Sequence, residues 1–215
     1  MNKTLLIFDL DGTLINTLED LNNAVNHALM CFNYPTRILE ETRRDIGNGV
    51  AKLIERSIPD GINNPNYQKC LSIFKEYYVE HYCDKSFPYK EVKEVIATLK
   101  QKGYHLAVVS NKFDEGAKKL INLFFPNTFD YVQGHSPEVN YKPHSDMVNK
   151  VLKELNIKNE DAIYIGDTEV DYQTAKNSNL DCILVSYGYR NKKQLLELTH
   201  HNLIIDSLTE LYKLI

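Results

Sequence analysis

Four short groups of residues carry side chains able to do chemistry. Asp9-Leu10-Asp11-Gly12-Thr13 sets two carboxylates and a hydroxyl around a turn-forming glycine. Ser110-Asn111-Lys112 closes an apolar run, and Lys142-Pro143 precedes a stretch with helical spacing. Gly166-Asp167-Thr168 follows another apolar run, with Asp171 one helical turn beyond Asp167. Acids brought close together repel and resist ionisation, so a convergence of Asp9, Asp11 and Asp167 calls for a cation. Read alone, Asp-x-Asp-Gly is equally a solvated turn. A calcium loop of the EF-hand type is excluded, because its fifth and sixth positions would be Thr13 and Leu14 rather than an acid and a glycine.

Alternating elements must place these groups. Thr4 to Phe8 is an unbroken apolar run stopped by the Asp9 turn and predicts a buried strand. From Thr17 to about Cys83 the apolar positions recur at helical spacing: Leu18, Leu21, Val25, Ala28 and Leu29, then Tyr67, Cys70, Leu71, Phe74 and Tyr78. After Pro88 helices and strands alternate. Helices are predicted over Val92–Leu99 (closed by Gly103), Glu115–Phe124, Ser145–Leu155, Val170–Asn177 and from Leu208. Strands are predicted over His105–Val109, Phe129–Val132, Ala162–Ile165, Cys182–Val185 and Leu203–Ile205. That alternation predicts an α/β fold, a doubly wound parallel sheet covered by helices. Residues 17–83 are too long for a βα connection and predict an inserted helical cap domain. The core is then residues 1–16 with 84–215. In such sheets ligands bind beyond the carboxyl ends of the strands, where Asp9, Ser110 and Asp167 all fall.

Composition narrows the function classes. A net charge of −4 gives no sign of a general affinity for nucleic acid or anionic membranes. The four cysteines, Cys31, Cys70, Cys83 and Cys182, show no metal or redox spacing, and scattered thiols suit a reducing, cytoplasmic setting. No apolar run approaches the length of a bilayer span.

The four groups, in this order, resemble the four motifs of the haloacid dehalogenase superfamily of aspartate-nucleophile phosphatases. The resemblance implies that Asp9 is the nucleophile and forms an aspartyl phosphate. It implies that Asp9, the Asp11 carbonyl and Asp167 hold Mg²⁺, with Asp171 supporting the site or only capping its helix. Asp11 would protonate the leaving oxygen and then activate water. Ser110, with Asn111, Gly12 and Thr13, would surround the phosphoryl oxygens; Thr13 more specifically orients Asp11 and the loop. Lys142 would offset the charge shared by Asp9 and the phosphate. A helical insertion between the first two motifs resembles the group containing phosphoglycolate phosphatase, β-phosphoglucomutase, a pyrophosphatase and sugar phosphatases. Dehalogenases of the group have Tyr where this chain has Asp11, and phosphonate hydrolases have Ala. The cap segment with Arg44, Gly47, Asn48 and Gly49 resembles the substrate-facing loop of phosphoglycolate phosphatases; the alternative is a plain helix–turn–helix corner. The chain departs from the family in having Asn16 where an Asp is usual. The expected reaction is hydrolysis of a small phosphorylated metabolite. A mutase, a pyrophosphatase or a nucleotidase is the alternative, and a non-catalytic binding module stands behind them. Oligomeric state is left open.

Overall fold

The computed structural model describes residues 3–215. Its core is a six-stranded sheet built from β1 (Leu5–Phe8), β4 (His105–Phe113), β5 (Tyr131–His135), β6 (Ala162–Gly166), β7 (Asp181–Val185) and β8 (Ile204–Ile205). Two further short strands, β2 (Ile15–Asn16) and β3 (Phe87–Pro88), form a separate pair. The order in the large sheet is β5-β4-β1-β6-β7-β8, and its neighbours run parallel. The helices α5 (Val92–Gln101), α6 (Asp114–Phe124), α7 (Asp146–Leu155), α8 (Glu169–Asn177), α9 (Lys192–Thr199) and α10 (Leu211–Leu214) belong to the same unit.

β1 explains why the sheet is centred where it is. All four of its side chains are fully buried, as expected of a parallel strand covered on both faces. Phe8 pairs with Val108 on one side and Ile165 on the other, so β1 and β6 end at a common level while β4 runs on beside them. A cluster containing Ile7, Val109, Val148, Tyr164 and Leu184 fills one face.

The chain divides into two compact units. One contains the residues up to Ile15 together with Pro88–Ile215; the other is Asn16–Phe87. The second unit is helical, with α1 (Leu18–Met30), α2 (Leu39–Asp45), α3 (Val50–Ser57) and α4 (Tyr67–His81). Asn16 and residues 84–87, assigned to the core from sequence, group with the helical unit. Asp20 of α1 is buried there, and its carboxylate accepts hydrogen bonds from the Lys85 N–H at 3.0 Å and the Ser86 hydroxyl at 2.6 Å.

Some elements differ from the sequence expectation, and β2 and β3 lie outside it. β4 continues past Val109 to Phe113, with an irregular register between those residues. β5 starts at Tyr131 rather than Phe129, whose ring instead packs edge-on against Phe8 and Phe125. Helix α9 was not anticipated.

Candidate active site

The matched ends of β1 and β6, with β4 alongside, determine what meets at the sheet edge. The Asp9 N–H donates to the Ile165 carbonyl at 2.9 Å, which extends the β1–β6 ladder by one step and sets Asp9 beside Gly166-Asp167. The chain then turns sharply. Leu10 O accepts from the N–H groups of Leu14 and Ile15, and the Leu10 side chain is buried as an anchor. Gly12 lies at φ +94°, and a Cβ there would stand 2.3 Å from Asp167 Oδ2. Only glycine allows so close an approach in that conformation.

Asp9, Asp167 and Asp171 are buried, and each presents a carboxylate oxygen within 4.8 Å of the others. Lys142 reaches into this group: its Nζ lies 2.7 Å from Asp9 Oδ1 and 2.8 Å from Asp171 Oδ1. Two of the three carboxylates thus share one ammonium. Burial and the neighbouring Asp171 push Asp9 up to about 7, against the opposing pull of Lys142. Asp167 is likewise held well above the ordinary carboxylate range, by burial first and then by Asp171 and Asp9. Burial works against the charge of Lys142, but Asp171 and Asp9 outweigh it and keep the ammonium well above its ordinary value. The all-oxygen, anion-rich donor set fits a hard divalent cation.

The three acids are tied differently. Asp167 Oδ1 accepts from the Thr13 hydroxyl at 2.9 Å, and Oδ2 from the Tyr189 N–H at 2.8 Å. Asp171 is committed to the protein. Its Oδ2 takes the Asp167 N–H, the Thr168 N–H and the Thr168 hydroxyl, at 3.2, 3.0 and 2.7 Å. Its Oδ1 takes Lys142. These bonds satisfy donors at the start of α8 and anchor the lysine at once. The Tyr164 hydroxyl completes the anchor, 3.1 Å from Lys142 Nζ and 3.3 Å from both Val109 O and Asp171 Oδ1.

Ser110 is buried at the end of the apolar part of β4, and its Oγ accepts from the Lys112 N–H at 3.1 Å. Asn111, expected at the phosphate, directs its amide onto the backbone of Lys142. Oδ1 accepts the Lys142 N–H at 2.7 Å, and Nδ2 donates to Lys142 O at 3.1 Å. The Thr13 hydroxyl bonds Asp167 rather than Asp11. Asp11 is instead paired with Lys112, Nζ to Oδ1 at 3.0 Å.

Three features had no assigned role in the sequence. Lys112 stands in the sequence beside Ser110 and Asn111 at the end of an apolar run, but nothing there gives it a partner or a role of its own. Tyr164 sits in the apolar stretch Ala162–Ile165 and reads there as core. Gly188-Tyr189 lies far along the chain, yet a Cβ on Gly188 would stand 2.3 Å from Gly12 O and 2.5 Å from Asp167 Oδ2. No spacing rule connects that loop to Asp9.

The helical unit holds the remaining candidates. Gly47 (φ +126°) and Gly49 (φ +82°) bracket Asn48 before α3. Asn48 Oδ1 accepts from Arg56 Nη2 at 2.9 Å, and Arg56 Nη1 donates to Asp45 O at 2.7 Å. The exposed Arg44 places Nε 3.2 Å from Asp45 Oδ1. Among the described residues no helix is long and apolar enough to cross a membrane.

Comparison with known proteins bears on this geometry. Residues 6–185 match the family model described as haloacid dehalogenase-like hydrolase. A phosphoglycolate phosphatase of Colwellia psychrerythraea is 32% identical over 194 residues, covering 87% of this chain and 86% of the relative. Another from Aquifex aeolicus is 31% identical over 185 residues, covering 86% and 85%. Among solved structures, a phosphoglycolate phosphatase candidate from Lactobacillus delbrueckii subsp. bulgaricus superposes with a TM-score of 0.94 at 30% identity, covering 100% of this chain and 98% of that one.

Proposed function

The chain belongs to the family of haloacid dehalogenase-like hydrolases and is a phosphatase, and on that premise we propose that it hydrolyses small phosphate monoesters through an aspartyl phosphate on Asp9, with phosphoglycolate as the leading substrate. The observation that carries the mechanism is the buried group of Asp9, Asp167 and Asp171, with the Lys142 ammonium against Asp9 and Asp171. The names of the relatives support the choice of ester.

Asp9, the carbonyl of Asp11 and Asp167 are the groups assigned to hold Mg²⁺. Bound there, the ion supplies positive charge against the phosphate oxygens, which a carboxylate could not otherwise approach. Asp171, whose oxygens are taken by α8 and Lys142, supports that set without joining it. Lys142 stays protonated and neutralises charge at Asp9 Oδ1. Ser110, its Oγ already accepting from Lys112 N–H, has its own hydroxyl proton to offer a phosphoryl oxygen.

Asp9 forms the new O–P bond as the ester P–O bond breaks in line. Asp11 gives a proton to the departing oxygen, then takes one from the water that cleaves the aspartyl phosphate. Free phosphate leaves and Asp9 is restored. Substrate choice is assigned to Arg44 and the Gly47-Asn48-Gly49 segment, whose glycines let backbone N–H groups approach an anion.

A panel of phosphorylated metabolites, assayed for released phosphate with and without Mg²⁺, tests this reading. Turnover of phosphoglycolate that stops in EDTA is expected. Isomerisation of a sugar 1-phosphate without free phosphate would overturn hydrolysis in favour of phosphotransfer.

A further inference from the structure

The two carboxylates of the first turn diverge, and each meets a lysine of its own. Asp9 meets Lys142, to which the scheme above gives a role. Asp11 meets Lys112, to which it gives none. Lys112 belongs to the last part of β4, where the register is irregular, and it is 5% exposed. A lysine near a sheet edge normally extends its ammonium into water along an apolar stem. This one points inward, and a buried ammonium is costly without a close partner. Asp11 Oδ1 lies 3.0 Å from its Nζ, a charge-assisted bond. The backbone N–H of the same residue donates to Ser110 Oγ at 3.1 Å. One strand residue therefore touches both groups assigned to the moving phosphoryl and to proton transfer.

We infer that Lys112 is a positioning residue for the Asp11 carboxylate. The inference rests on the acid–base role proposed for Asp11. A short side chain on a turn rotates about two torsions, and a carboxyl misplaced by about 1 Å loses much of its rate advantage. The strand-held ammonium binds Oδ1 whether or not Oδ2 carries the proton, so Oδ2 does the transfer. Its proton passes to the ester oxygen as the P–O bond breaks. A proton from water replaces it as the water oxygen joins phosphorus. Lys112 keeps its protons and forms no covalent bond throughout.

The test is a comparison of two leaving groups. p-Nitrophenolate departs with little help from an acid, whereas an alkoxide needs the proton. kcat/KM reports the phosphorylation step for p-nitrophenyl phosphate and for an alkyl phosphate the wild-type enzyme hydrolyses, phosphoglycolate first. Lys112→Met should lower kcat/KM for the alkyl ester at least ~10-fold more than for the aryl ester. Lys112→Gln, which keeps a polar group should the Met variant fail to fold, should shift the ratio the same way. In an Asp11→Asn background neither change should shift it further. Equal losses on both esters, or a loss confined to KM, would overturn the inference while leaving Asp11 in its role. An Asp11→Asn enzyme with the wild-type ratio would remove the acid role, and the inference with it.

Discussion

Asp9 gains its character from its neighbours. A lone strand-end aspartate is ionised at neutral pH, but burial and Asp171 raise this one to about 7. The sign of the consequence is fixed by linkage. The folded, metal-free protein holds a proton that the unfolded chain releases above its ordinary value of 3.8, so folding stability declines as pH rises from about 4 through about 7. The EDTA-treated protein should therefore lose several degrees of melting temperature between about pH 5 and about pH 8, and Mg²⁺ should restore them at the upper end. A metal-free melting temperature that rises across that window would contradict the picture of acids held together against their repulsion. Lys142 cannot remove the effect alone, because it is shared between Asp9 and Asp171.

The elements succeed where they bring residues to one level and where they bind them there. Asp171→Asn keeps the shape of the side chain but takes the anion from Lys142 and weakens the bonds at the start of α8. Denaturant titration without metal should show a loss of about 1–3 kcal/mol, from the weakened bonds to the donors at the start of α8, since Lys142 keeps Asp9 as a partner. The loop after β7 is as confined as the first turn. Gly188→Ala would drive a Cβ against Gly12 O at 2.3 Å, so it should destabilise the fold by about 1–3 kcal/mol and abolish turnover through displacement of Asp167. An alanine variant with wild-type activity would show that the loop does not hold the site. The sequence made β1 and β6 legible because their runs are apolar on both faces. It made Asp9, Ser110, Lys142 and Asp167 legible because they stop such runs or precede a helix. It named Lys112 without its partner and did not reveal Gly188, since their roles come from contacts with Asp11 and Asp167 at long chain separation. The strand placed at Phe129 misread an aromatic contact as strand pattern: that ring meets Phe8 and Phe125 before β5 begins.

At the scale of the molecule, one chain makes a parallel sheet unit and a helical unit inserted after the first turn. The order of elements was legible because helical periodicity from Leu18 to Tyr78 gives way to alternation after Pro88. The exact return point was not, because Lys85 and Ser86 are recruited by Asp20, far away in sequence. Substrate choice belongs to this scale, and the panel of phosphate esters measures it, with phosphoglycolate expected to head the order. The reaction itself is tested most directly by rapid quench during turnover, followed by mass analysis of the peptide that contains Asp9. The account predicts one phosphoryl group on Asp9 during turnover, absent from Asp9→Asn together with nearly all activity. An Asp9→Asn enzyme that turns over at the wild-type rate, or a phosphoryl group trapped on another residue, would contradict it.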